Sequence, residues 1–168
     1  YYSLTNTFGN FNFSLNIAKL EKFKQTAGND FIKLIEAQES GVIPKELSIS
    51  GFSDLLKKDG SPEIQASIKF IWNKGSWGLG LFAKHIGEFY ESRNRLSDGR
   101  LWKVKAYNTI NGHVDYHFNL NSSNSRIRLG INNIADERAP LASDIFGYYF
   151  DKHDNLGRYY YIDLSYKF

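Results

Sequence analysis

The sequence predicts an all-β, antiparallel fold laid out as a transmembrane β-barrel, and three observations carry that prediction. Six segments alternate apolar and polar side chains with period two. Tight turns alternate with long connections, as in outer-membrane barrels. Aromatics, mostly Tyr and Phe, make up 16% of residues, which suits girdles of rings at a membrane interface. A strand sends successive side chains to opposite faces, so every segment has one apolar and one mostly polar face. Two settings use such strands: a sheet packed on a core, and a barrel with its apolar face toward lipid and its polar face toward a lumen.

The first segment, about Gly9 to Leu20, sets Phe11, Phe13, Leu15 and Ile17 against Asn12, Ser14 and Asn16. The second, Ile64 to Asn73, sets Ile68, Phe70 and Trp72 against Ser67, Lys69 and Asn73. The third, Trp77 to about Ser92, sets Trp77, Leu79 and Leu81 against Gly78, Gly80 and Lys84. The fourth, about Thr109 to Leu120, sets Val114, Tyr116 and Phe118 against His113, Asp115 and His117. The fifth, Ser125 to Ile134, sets Ile127, Leu129 and Ile131 against Arg126, Arg128 and Asn132. The last runs from Tyr160 to Phe168. Ile71 and Phe82 break the pattern by facing the polar side.

Lys74-Gly75-Ser76 and Asn121 to Asn124 read as tight turns. Closing the first on Asn73 and Ser76 pairs Trp72 with Trp77. Closing the second on Asn121 and Asn124 pairs Phe118 with Ile127. A one-residue slip would mix the faces. The first long connection carries Phe31, Leu34 and Ile35 at helical spacing after two capping candidates, Asn29 and Asp30. Phe52, Leu55 and Leu56 repeat that spacing, with Pro44 between the two sets. These are read as loop padding in preference to a lid.

Composition narrows the function. The 168 residues suit one domain. A net charge of +3 without a basic stripe argues against a nucleic-acid partner. With no Cys, disulfide and thiolate chemistry are excluded. No apolar run is long enough for a transmembrane helix, and a mean hydropathy of -0.44 does not exclude a barrel. Tyr1 reads as a cut end, so the chain is read as a fragment.

Two groups of residues are candidate sites. His113, Asp115 and His117 share a face with Arg126 and Arg128 and are read as a polar, lumen-facing ladder, with Asp115 paired diagonally to Arg128. A metal site there is disfavoured, because strand neighbours two apart lie about 6.6 Å from each other. Tyr148, Tyr149 and His153, in the last long loop, are the candidate ligand-binding residues for a small-molecule cargo such as a metal chelate or a sugar. No nucleophile has an evident base, so no enzyme is expected, and no cofactor is implied.

The stretch IRLGINNIADERAPLA, Ile127 to Ala142, resembles the C-terminal hallmark of TonB-dependent outer-membrane receptors. Gly130, Asn133, Asp136, Pro140, Gly157, Arg158 and the terminal Phe168 match that pattern, while Ile134-Ala135 and Ala139 depart from it. Ile71 to Tyr90 is similar to the family's tryptophan-bearing hairpin. The resemblance implies that residues 1–168 are the C-terminal six strands of a plugged barrel of about 22 strands, with the plug domain absent from this chain. It further implies an active transporter in the outer membrane of a Gram-negative bacterium. Such a receptor imports a scarce nutrient such as a ferric siderophore. Its partners would be outer-membrane lipid, the TonB complex through the missing N-terminal region, and the barrel-assembly machinery. Tyr160, Ile162, Leu164, Tyr166 and Phe168 would be the barrel-assembly signal. The rival is a soluble, secreted all-β ligand- or carbohydrate-binding module that buries the same apolar faces against a second layer.

Overall fold

The structure, a computed structural model, describes residues 1–26, 28–45, 47, 53–120 and 123–166. In chain order the elements are β1 (Tyr2–Asn6), β2 (Gly9–Lys19), β3 (Lys24–Gln25), α1 (Asn29–Glu39), β4 (Ser53–Asp54), β5 (Ile64–Lys74), β6 (Trp77–Ile86), β7 (Phe89–Arg95), β8 (Leu101–Val104), β9 (Tyr107–Leu120), β10 (Ser123–Asn132) and β11 (Tyr159–Tyr166). Seven strands form one antiparallel sheet in the order β1-β2-β5-β6-β9-β10-β11. Two small sheets, β3-β4 and β7-β8, stand apart from it.

All six expected segments are strands, and their alternation survives pairing. Phe13 faces Phe70, Phe70 faces Leu81, Leu79 faces Val114, and Ile127 faces both Tyr116 and Leu164. Both expected hairpin registers are off by two residues. Trp72 faces Leu79, and Phe118 faces Ser125. An even slip leaves each side chain on its face, which is why the face assignment holds where the pairing does not. Trp77 packs against Tyr116 in a tilted arrangement at 4.8 Å, and the Trp72 indole N–H donates to the Phe8 carbonyl at 2.9 Å. Residues 121 and 122 of the second turn, and Phe168 at the end of the last segment, lie outside the described residues.

The third segment breaks where the sequence suggested continuity. Ile86 and Phe89, both fully buried, are three residues apart, which period two cannot accommodate. Gly87 N–H donates to the Ile64 carbonyl at 2.8 Å, and the chain leaves the sheet to form β7 and β8. In the first long connection Gly28, not Asn29 or Asp30, is the N-cap of α1, and no side chain caps it. Leu55 and Leu56 lie in extended and turn structure following β4, not in a helix, and Phe52 is outside the described residues. That connection docks on β7 through Asp59, whose carboxylate accepts from the Ser92 N–H at 2.8 Å and from its hydroxyl at 2.6 Å.

The closed transmembrane barrel is not what the chain forms. Among the described residues β1 pairs only with β2 and β11 only with β10, so the sheet is open at both ends. A membrane-spanning sheet must close, because edge N–H and C=O groups find no partner in hydrocarbon. Several assignments fall with closure. They are the plugged transporter driven by the TonB complex, the outer-membrane location, and the partnerships with lipid and the barrel-assembly machinery. Without closure there is no lumen for His113, Asp115, His117, Arg126 and Arg128 to face. They do share the polar face of the sheet. Tyr160, Ile162, Leu164 and Tyr166 occupy the apolar face of an edge strand and are no longer read as an assembly signal.

The sheet is nevertheless two-faced. On the polar face, the Tyr161 ring lies over Gly130 and the His113 ring over Gly80, where any Cβ would collide with them. The main buried cluster, Ile86, Phe89, Val104 and Tyr107, lies where the long connections meet this face. The apolar face is bare: Leu129 is 55% exposed, Ile162 70% and Leu164 73%.

Gly130→Val should lower stability by about 1–3 kcal/mol through overpacking against the Tyr161 ring. Urea denaturation should show most of that loss restored when Tyr161→Ala is added.

Candidate functional site: a polar cleft at the long-loop end of the sheet

A cleft of about 350 Å³ opens between the polar face and the loop that joins β10 to β11. Its floor comes from strand ends: Lys84 on β6, Tyr107, Thr109 and Asn111 on β9, Asn132 on β10 and Tyr159 on β11. Period two puts these residues on the face that also carries His113 and Asp115. The wall is residues 150–154 of the loop, together with Gly157.

One asparagine holds the loop in place. Asn133, buried with φ +52°, donates its backbone N–H to Asn111 Oδ1 at 2.8 Å. Its side-chain amide donates to the Glu137 carbonyl at 2.7 Å and accepts from the Glu137 N–H at 3.0 Å. A short amide that tolerates the left-handed region and bonds its own neighbours suits this corner. Asp136, also left-handed at φ +54°, accepts from the Arg158 N–H at 2.8 Å, tying the loop's two ends together. Gly157 at φ +78° passes so close that a Cβ would lie 2.7 Å from Asp136 Oδ1. Asn133, Asp136, Gly157 and Arg158, four of the residues behind the receptor resemblance, thus form a loop clasp.

Of the three loop candidates, His153 lines the cleft. Tyr149 supports it from behind, meeting Phe89 edge-on at 4.9 Å. Tyr148 packs toward Phe146 at 6.4 Å and does not border the cleft. The His153 ring is 3% exposed, stacked over Phe89 at 6.1 Å and edge-on to Tyr107 at 5.2 Å. Neither ring nitrogen has a partner among the described residues. Burial, reinforced by the nearby Lys84 charge, pushes its pKa down, so the ring is neutral at pH 7. Burial also raises the Tyr149 phenol to about 12, with help from Glu91, and keeps it un-ionised. The Tyr107 hydroxyl donates to the Asp154 carbonyl at 2.6 Å, pinning the wall to the floor.

Sequence reasoning missed most of the floor. Lys84 and Asn132 read as polar-face positions without a role, and the clustering of Thr109, Asn111 and Tyr159 depends on how β9 and β11 are placed. The side chains of Lys84, Thr109 and Asn132 form no hydrogen bond or ion pair with other described residues. They are polar groups available to a ligand.

Further along the same face, Arg128 grips both Asp115 oxygens at 2.6 and 3.0 Å. The two residues sit directly opposite each other rather than diagonally. Burial works to raise the Asp115 pKa, but the Arg128 hydrogen bonds and charge outweigh it and hold the carboxyl below its ordinary value. His113 Nε2 is 3.7 Å from Asp115. Its pKa is lowered by burial and by Arg128, against the pull of Asp115. Arg126 binds Asp163 at 2.6 Å. The polar ladder is therefore a chain of ion pairs across β9, β10 and β11.

No protein-family model matches the chain, nor does any curated protein or solved structure. The resemblance to TonB-dependent receptors therefore has no support beyond its short motifs, and Asn133, Asp136, Gly157 and Arg158 among the matching residues have a local structural explanation in the clasp.

Arg128→Met should destabilise the fold by about 2–4 kcal/mol, because Asp115 is left buried and unpaired. The pair's contribution is complete above the ordinary Asp value near 3.8 and is lost as pH falls through the lower folded value. The difference in unfolding free energy between wild type and variant should therefore shrink in acid.

His153→Phe should stabilise the fold by about 1–2 kcal/mol by removing two buried unpaired nitrogens while keeping the ring stack. In the wild type the buried ring refuses a proton that the unfolded chain accepts. Stability should therefore decline as pH drops below the ordinary His value of 6.5. Thermal unfolding of the variant should show a weaker decline over that range.

Proposed function

We propose that the chain is an all-β binding module that holds a small, hydroxyl-rich ligand of carbohydrate type in the cleft beside β9 and β10. The observation that carries this reading is the set of uncommitted polar side chains, Lys84, Thr109 and Asn132, gathered beside the rings of Phe150 and Tyr159. Amide, hydroxyl and ammonium groups match the alternating donors and acceptors of a sugar, and aromatic rings match its apolar C–H face. A volume of about 350 Å³ sits at the small end of ligand sites, which run from about 300 to 1,000 Å³, and suits one or two sugar rings. The loop clasp and the Tyr107 bond pre-form the cleft, which lowers the ordering cost of binding. The reading is binding without turnover. What supports that part of the reading is that His153, the cleft's imidazole, has no hydrogen-bond partner on either nitrogen among the described residues, whereas a catalytic base is paired with its nucleophile.

Ligand-observed NMR against neutral mono- and disaccharides tests this. At least one sugar should bind, and Asn132→Ala should weaken it about tenfold, roughly 1.4 kcal/mol, with an unchanged strand signal in circular dichroism. If every sugar fails to bind, or the variant binds as tightly as wild type, the carbohydrate reading is wrong.

A further inference from the structure

The cleft uses the polar face of the seven-stranded sheet and leaves the apolar face unclaimed. The register makes that face continuous from edge to edge. Phe13, Phe70 and Leu81 continue the row begun by Tyr2, and Leu79, Val114, Leu129 and Ile162 form another. Its ionisable members, Lys19, Lys74 and His85, stand only at strand ends. Single exposed apolar residues are ordinary, but a contiguous face of this extent marks a contact surface.

We infer that this face is the interface between two copies of the chain, stacked sheet against sheet as a β-sandwich. Size is the first argument. Seven strands averaging about ten residues, spaced about 4.8 Å apart with about 3.3 Å per residue, present roughly 1,100 Å². A stable interface needs about 800 Å² from each partner. Composition is the second. A face of alternating aliphatic and aromatic residues without central charge complements itself, so one two-fold axis can cover both copies with the same patch. Geometry is the third. In a sandwich only the inner faces are covered, about 10 Å apart, and the edge groups of β1 and β11 stay in water. A hydrocarbon phase would leave those groups unpaired. The opposite face, with Lys69, Asp115, Arg126, Arg128 and Asp163, is charged and holds the cleft. The dimer therefore presents two clefts pointing away from each other. This assembly does not depend on what the cleft binds.

The test is the mass of the full chain in detergent-free buffer, by sedimentation equilibrium. The wild type should run at twice the 19.3 kDa chain mass. Leu129→Lys and Ile162→Lys should halve that mass with strand content retained, and Asn12→Lys, on the polar face, should leave it unchanged. If the lysine variants do not fold, a spin label on Leu129→Cys decides the matter, since the chain has no other thiol. A sandwich gives one short label-to-label distance. A monomer in water overturns the inference, as does dispersal only in detergent micelles, which would mean that the face meets an apolar phase. A ladder of larger species also overturns it, because that is the behaviour of free edges.

Discussion

Like-with-like pairing across the seven-stranded sheet is the constraint on which the rest of the structure depends. Every neighbour of an apolar-face residue in mid-sheet is itself apolar or small, from Phe13 beside Phe70 to Ile127 beside Leu164. Because side chains alternate with period two, this sorting also builds a continuous polar face. The ion pairs of β9, β10 and β11 and the floor of the cleft are both consequences of it. A register slip of one residue in β9 or β10 would put Asp115 or Arg128 on the apolar side.

The polar face is stabilised by direct pairing rather than by bulk packing. Asp115 is buried only because Arg128 supplies two hydrogen bonds, and Glu91 only because Ser143 and Asn94 satisfy its oxygens. Among the described residues the Ser125 hydroxyl, Arg126 Nε and both His153 ring nitrogens are buried without a partner. His153 is the one of these whose environment is aromatic. A buried unpaired group costs stability, and this one sits in the wall of the cleft, where a ligand-binding surface accepts less than optimal packing.

The loop between β10 and β11 shows how a local motif can mislead. Its Asn133, Asp136, Gly157 and Arg158 answer a geometric problem: leave one strand, cover the end of the sheet, and return to pair with the same strand. Left-handed corners at Asn133 and Asp136 and a close approach at Gly157 are general solutions to it. Asn, Asp and Gly suit such corners in any chain, so their spacing alone is a weak guide to kinship.

Alternation alone determined the six main strands, the side each residue faces, and the divergence of Ile71 and Phe82 from the pattern, since those depend only on neighbouring positions in the chain. The same pattern could not decide whether the sheet closes. Closure depends on what the edges at β1 and β11 meet, a relation between distant segments that leaves no mark on period two. It missed β1, β3, β4 and β8, which are short or lack clean alternation, and ran β6 and the start of β7 together as one strand. It also misplaced the caps of α1, because any polar residue near a helix start can imitate a cap. Of the candidate site, His153 was legible as a loop residue of mixed chemistry, while Lys84, Thr109, Asn111, Asn132 and Tyr159 became a site only when four strands and one loop met. What the sequence by itself determined was the two-faced sheet. The open architecture, the loop clasp and the cleft were decided by tertiary structure, because each is set by contacts between residues far apart in the chain.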